Sequence, residues 1–445
     1  MEPNIKDFVW SYIAQIISIG GGIIALPLVL KYWDIVVIEN YLILITLMAL
    51  YAIIDGGFRI NLVRIAAFEK SGRIPIYGST KDFVLKNLSS HQLFKVINKL
   101  VFQISWIGGL FIFFLGSIYI YQTANQENLF GNIFNWTLLS ISQILFCRNL
   151  GVIGILQGIG KIAFANKLVA AFKGGILLSC ILAVLLGFSL LGFAMGAFFC
   201  SLIGYFITQN LFSKYIEVTQ VTNKNIHLSE SDINQIRTLI FKPSIRLWVV
   251  QVGAFLINRG NVLVAGMILG VMESSAFMLS IILISVAANL ASAVVLVYLP
   301  QINAIQVSDS RILLTSIIKK IYGIAYLIYV LAFMGIFFLG NYTLQLIGSE
   351  ARLIDSSLLI IVGIISLLEL NHSLAVNYLT TLNEIIFAKA AILSGIASVL
   401  LGFILGTTYG VLGLILAQGG VQLLYNNWRW PQLMIRDLRT TIKHD

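Results

Sequence analysis

Long apolar runs recur along this chain, separated by short clusters of polar residues. They predict twelve helices, at about 8–30, 41–64, 100–121, 133–155, 168–187, 192–212, 246–269, 276–299, 321–340, 356–378, 386–406 and 410–428. About 20 apolar residues rising 1.5 Å each cross the ~30 Å hydrocarbon core of a bilayer, so runs of this length with few charges predict membrane-spanning helices. The gap at 187–192 predicts a tight hairpin between the fifth and sixth helices. The longest polar stretch between helices, 213–245, separates an N-terminal lobe (1–212) from a C-terminal lobe (246–430), with a tail at 431–445. The expected fold is therefore an all-α integral membrane protein of twelve transmembrane helices in two six-helix lobes. With six helices each, both lobes start on the same side of the membrane. That is the relation of parallel repeats, which places a binding site between the lobes.

Lys and Arg set the expected orientation. With both termini on the cytoplasmic side, every loop Lys and Arg except Lys31 and Arg352 falls on that side, as cytoplasmic loops of membrane proteins require. Composition agrees. Of 445 residues, 58% are hydrophobic and 11% charged, against about 25% charged in soluble domains, and the mean hydropathy is +0.92. A net charge of +10 would suit nucleic acid, but its concentration on one side makes it a topology signal that meets the anionic leaflet. No nucleic-acid partner is expected. The first apolar run follows Lys6 and lacks a small-residue cleavage site, so it is expected to be an uncleaved helix.

Several chemistries are not supported. Cys147, Cys180 and Cys200 lie in apolar segments, with no CxxC and no Cys/His cluster, so neither a disulfide framework nor a metal site is expected. The nearest string to a phosphate-cradling loop, Gly154–Ile162, has the wrong spacing, lacks the Ser/Thr, and follows no strand. No nucleophile constellation or paired carboxylates stand out. The expectation is a protein without a cofactor that is not an enzyme.

The polar residues inside the runs are the candidate chemistry. A charge at mid-bilayer costs roughly 2.5–3.5 kcal/mol on insertion scales, so each must face protein or a wet cavity. Asp55 and Arg59 stand one turn apart. Either they satisfy each other, with Arg59 reaching toward the inner end, or Arg59 faces a central cavity and Asp55 tunes it. Gly56-Gly57 beside them would permit close helix packing. Arg148 and Arg259 have no acid three or four residues away. Each needs a cross-bundle partner or an anion, and a wet cationic cavity is the expectation, with Asn258 and Asn261 making the surroundings of Arg259 polar. Glu369 and His372 sit three apart in the tenth helix. Either Glu369 pairs with Arg259 or Arg148, or the two form an ion-coupling pair, His being the side chain that titrates nearest neutrality. Trp10, Trp33, Trp428 and Trp430 fall near predicted helix ends, as an interfacial belt would place them.

The stretch Ala25–Lys70 carries a more specific pattern: Pro27 near the end of the first helix, the basic-aromatic pair Lys31-Tyr32, Glu39 and Tyr41 in the following turn, Asp55-Gly56-Gly57-Phe58 late in the second helix, and Arg64 beyond it. Gln157–Lys161 leading to Ala165-Asn166 closes the fourth helix with a basic turn. This pattern resembles the Wzx-type polysaccharide flippases of the multidrug/oligosaccharidyl-lipid/polysaccharide (MOP) exporter superfamily. It departs from them at Trp33-Asp34, where a Leu-Gly pair is usual, and at Asn258-Arg259-Gly260, where many relatives have Asn followed by Asp-Arg.

The resemblance implies a flippase in a bacterial inner membrane. It would move an undecaprenyl-pyrophosphate-linked oligosaccharide, an O-antigen or capsule repeat unit, from the inner to the outer leaflet. Its expected partners are that lipid-linked oligosaccharide, membrane lipids, and as candidates a polysaccharide polymerase and a chain-length regulator. Guanidinium groups bind phosphate oxygens in bidentate fashion, so Arg59, Arg148 and Arg259 are the candidate substrate-binding residues. Asp55, Glu369 and His372 are the candidate ion-coupling residues. The alternative is a drug/cation antiporter of the MATE branch, for which a net acidic cavity is expected. A major-facilitator transporter would show GxxxDRxGRR after the second helix, and Phe58–Arg73 does not contain it. A peptidoglycan-precursor flippase is expected to have fourteen helices, and a polysaccharide polymerase a large outer loop.

Overall fold

The computed structural model describes residues 5–71, 90–123, 128–219, 230–308, 311–382 and 386–440. Arg73, Lys81, Lys86, Lys224 and Lys443 of the expected cytoplasmic charge, and part of the stretch 213–245, lie outside them. Regular structure among the described residues is helical. Among the described residues, ten segments are long and apolar enough to cross a membrane. The last of these, Ala388–Arg439, holds two of the predicted helices, and α1 (Ile5–Tyr32, 28 residues) adds another of sufficient length. The protein is a multi-pass membrane protein.

The second predicted helix is built in pieces: α2 (Ile35–Met48), a 3-10 turn (Ala49–Tyr51), α3 (Ala52–Asp55) and α4 (Phe58–Ser71). Gly56 and Gly57 make the break, with φ of +34° and +82°, a left-handed conformation that glycine adopts at little cost. The break also makes room. A Cβ on Gly57 would lie 2.5 Å from Leu247 Cδ1, and one on Gly56 2.6 Å from Trp248 Cδ1. Leu247 and Trp248 belong to α9 (Glu230–Phe255), and Asn61 Nδ2 donates to Ser244 Oγ of the same helix at 2.7 Å.

The middle of the chain follows the apolar pattern, with α5 (Ser90–Thr123), α6 (Leu129–Gly158), α7 (Ile162–Leu185) and α8 (Leu190–Thr219). Gly187, at φ +72°, turns the α7–α8 hairpin. The seventh predicted helix is α9 and α10 (Asn261–Ile268) joined by a π-helical turn, Leu256–Gly260. Then come α11 (Val271–Ser308), α12 (Arg311–Leu346), α13 (Ser356–Thr381), α14 (Ala388–Leu424) and α15 (Asn426–Thr440). Within α14 the chain reverses at Gly410 (φ 58°, ψ −135°), so a Cβ on Gly413 would meet Leu405 O at 2.0 Å. Residues 431–440 of the expected tail belong to the helix α15, which is apolar on one face only.

The helices gather into two compact units. One holds Met1–Ala25 and Leu47–Gln251, the other Leu26–Thr46 and Val252–Asp445. The boundary is not the single cut at 213–245 read from the sequence. It crosses α1, α2 and α9, and the hairpin from α1 into α2 packs with the C-terminal half. There the Glu39 carboxylate accepts a hydrogen bond from Ser274 Oγ, and Ile35 N–H donates to Glu350 Oε2 at 3.2 Å. In the first unit Trp136 is fully buried, and its indole N–H donates to Phe113 O at 3.0 Å. Ser142 and Ser201 pair their hydroxyls at 2.7 Å. Such internal pairing is required where no water reaches polar groups. Large apolar side chains including Ile107, Phe111, Phe130, Leu331 and Phe338 point outward instead, as they do when lipid is the solvent.

Candidate functional site

Each unit contains its own recess with one carboxylate. In the first unit the recess is about 290 Å³, bounded by Ile54, Asp55, Phe58, Arg59, Leu62, Val101, Ile104, Ser105, Cys147 and Gly151. The break after Asp55 starts α4 at this point and brings Arg59 onto the recess. Asp55 Oδ2 lies 3.5 Å from Arg59 Nε, and Asp55 Oδ1 accepts from the Arg59 backbone N–H at 3.3 Å. The two side chains remain 25% and 37% exposed. The two side chains pair with each other and border this recess. Gly154 gives the Arg59 stem its space, since a Cβ there would lie 3.1 Å from Arg59 Cγ.

A second cation stands near Arg59. Lys173, assigned from sequence to a cytoplasmic loop, sits halfway along α7, half-buried and within electrostatic reach of Arg59. The predicted helix at 168–187 began too late. The apolar pattern runs from Ile162, and counting from there centres Lys173 in the span.

Arg148 is placed differently. It is 5% exposed and does not border the recess, although its neighbour Cys147 does. Its Nη1 donates to Asn98 O at 3.0 Å and to Asn98 Oδ1 at 2.6 Å, and its guanidinium lies 5.5 Å from the Phe102 ring centroid. It fastens α6 to α5. Arg148→Ala is therefore expected to lower thermal stability. Hydrogen bonds to a charged group contribute about 1.5–3 kcal/mol, and a thermal melt of purified protein in detergent measures the loss. An unchanged melting temperature would remove the clamp assignment.

The second unit's recess, about 420 Å³, is lined by Asn258, Phe277, Ile281, Ile284, Ser285, Val362, Ile365, Ser366, Glu369, Ile415 and Gln418. Helices α11, α13 and α14 and the π-turn supply its lining. Glu369 Oε1 accepts from Gln418 Nε2 at 2.9 Å. Among the described residues no cation lies within ion-pair distance of Glu369, so it is not partnered by Arg259 or Arg148. Gln418 is a residue the sequence reading passed over, and its signal was a lone amide in an apolar run. His372 does not join Glu369; its Nδ1 lies 3.1 Å from Asn427 Oδ1 of α15.

Arg259 rides on the π-turn, a geometry that concentrates at functional sites. It is half-buried and has no hydrogen-bond or ion-pair partner among the described residues. Asn258 beside it turns back to donate to Ala254 O at 2.8 Å. Gly253 and Gly260 let the turn lie close to α14, where added Cβ atoms would come within 2.4 Å of Ala391 C and 2.3 Å of Val399 Cγ2. Of the four expected interfacial tryptophans, Trp33 and Trp430 are buried. Trp10 stacks under Lys167 Nζ at 4.9 Å, and Trp428 is half exposed.

The fold is similar to that of solved MOP-superfamily transporters. The structure is similar to an inward-facing multidrug resistance MATE family transporter of that superfamily (TM-score 0.64, 15% identity, covering 98% of this chain and 99% of that one). It is also similar to the lipid II flippase MurJ in an inward closed conformation (TM-score 0.63, 14% identity, 97% and 88%). An outward-facing MATE transporter matches with a TM-score of 0.55, at 15% identity over 99% and 95% of the two chains. No family model matches the chain, and no curated protein matches it by sequence. These neighbours are transporters and flippases rather than enzymes.

Proposed function

We propose that this protein is a flippase for a lipid-linked oligosaccharide. It carries an undecaprenyl-pyrophosphate-linked O-antigen or capsule unit from the inner to the outer leaflet of a bacterial inner membrane, with both chain termini in the cytoplasm. A diphosphate bearing a glycan cannot enter hydrocarbon, and cations at mid-span give it a path. The observation that carries the reading is Arg259: a half-buried guanidinium on a π-turn with no protein acceptor among the described residues. A desolvated charge of this kind is stabilised by a bound anion, and guanidinium meets phosphate through two parallel hydrogen bonds. Arg59 and Lys173 are the corresponding cations of the first unit. Asp55 and Glu369 are the ion-coupling carboxylates. The polyprenyl tail stays in the bilayer while alternating access of the two units moves the headgroup.

The second reading, a MATE-like cation antiporter, is favoured by one observation, the cation-free Glu369 recess. Reconstituted vesicles separate the two. Flippase activity appears as time-dependent exposure of a labelled undecaprenyl-pyrophosphate oligosaccharide to an impermeant glycosidase. Ion-gradient-driven movement of a cationic dye, with no glycan exposure, would replace the flippase by the antiporter.

A further inference from the structure

The two faces of α15 do different things. Asn427, Trp430, Met434 and Leu438 recur at helical spacing and turn inward, and the last three are buried apolar side chains. They are held by specific bonds. Trp430 Nε1 donates to Asn426 Oδ1 at 3.0 Å, Asn426 Nδ2 donates to Ser394 Oγ at 2.9 Å, and Tyr378 OH donates to Asp437 Oδ2 at 2.6 Å. Ser394 lies near the start of α14 and Tyr378 near the end of α13, so α15 docks across helix ends on one side of its unit.

The opposite face keeps two large apolar side chains outward, Trp428 at 50% and Ile435 at 43% exposure. Arg436 and Arg439 are exposed on the same half of the helix, with Arg429 at its edge. Asp437 of this helix accepts from Tyr378 OH, and Arg429 Nη1 donates to Gln432 Oε1 at 3.3 Å. Trp prefers the headgroup level of a bilayer, where its ring is amphipathic and its N–H finds an acceptor. Apolar side chains alternating with arginines describe a helix lying in the interface rather than crossing it.

We infer that the outward face of α15 is a docking surface for anionic phospholipid headgroups. The occupant follows from charge: α15 carries three guanidinium groups against one carboxylate, and a net positive helix at the membrane boundary fits anionic phosphate and not a zwitterionic surface. Continuity supplies the depth, because α15 begins one residue after α14 ends. The same helix touches His372 through Asn427, so headgroup binding bears on α13, which carries Glu369.

The test uses the full chain in nanodiscs, comparing wild type with Trp428→Phe so that the difference reports Trp428 alone. Brominated phosphatidylglycerol is expected to quench Trp428 at lower mole fraction than brominated phosphatidylcholine. Replacing Arg429, Arg436 and Arg439 by Gln is expected to weaken that preference by about fivefold per arginine, from about 1 kcal/mol each. Equal quenching by the two lipids in the wild type would overturn the inference without relying on any variant's folding. So would a preference that survives all three replacements.

Discussion

Arg259→Ala is expected to reduce oligosaccharide flipping in reconstituted vesicles by at least ~30-fold while leaving the protein as stable as the wild type or more so. Both parts follow from its setting. Removing one member of a desolvated hydrogen-bonded charge pair costs about 2–5 kcal/mol, and 2 kcal/mol corresponds to about 30-fold. In the protein alone, however, the guanidinium has no acceptor among the described residues, so its loss removes a desolvation cost and breaks no bond. Arg148 has the opposite balance, because its bonds to Asn98 are made within the protein. The pair of substitutions therefore separates a substrate contact from a scaffold contact: Arg259→Ala loses transport and keeps its melting temperature, and Arg148→Ala loses melting temperature. Arg259→Lys should fall between wild type and Ala, since an ammonium keeps the charge but not the paired geometry. Transport by Arg259→Ala at the wild-type rate would remove the anion site from the second unit.

The architecture was legible because the bilayer simplifies the code. Length and apolarity predict a spanning helix almost without regard to packing, so segments such as Leu129–Gly158 and Ser356–Thr381 lie close to their predicted positions. What escaped depended on packing or on backbone detail. The Gly56-Gly57 break follows from the passage of Leu247 and Trp248, a contact nearly two hundred positions away in sequence. The π-turn at Leu256–Gly260 has no composition of its own. α15 was missed because only one of its faces is apolar, and the search was for helices apolar all round. The charges divide the same way. That Asp55, Arg59, Arg148, Arg259 and Glu369 had to turn inward was readable from cost alone. Which of them would find partners was not, since Asn98 and Gln418 approach from other helices.

Partnering is also what assigns different work to the two carboxylates, and it makes Glu369→Gln the sharper substitution. Asp55 has a guanidinium 3.5 Å away, so its charge is balanced in place and Asp55→Asn would chiefly release Arg59. Among the described residues Glu369 has only the amide of Gln418 as a hydrogen-bond partner. On the proposed coupling role, a carboxylate held this way in a recess of about 420 Å³ would be balanced by a proton or a small cation arriving from outside. Glutamine keeps the accepting oxygen and the shape while losing the charge, so folding should be unaffected. Flipping down a substrate gradient should persist in Glu369→Gln vesicles, and accumulation driven by an imposed membrane potential should vanish. One charge moved through about 100 mV supplies about 2.3 kcal/mol, an accumulation of about 50-fold, so the lost quantity is large enough to read directly. Accumulation at the wild-type level in this variant would mean that the coupling charge lies elsewhere, with Asp55 as the remaining mid-span acid.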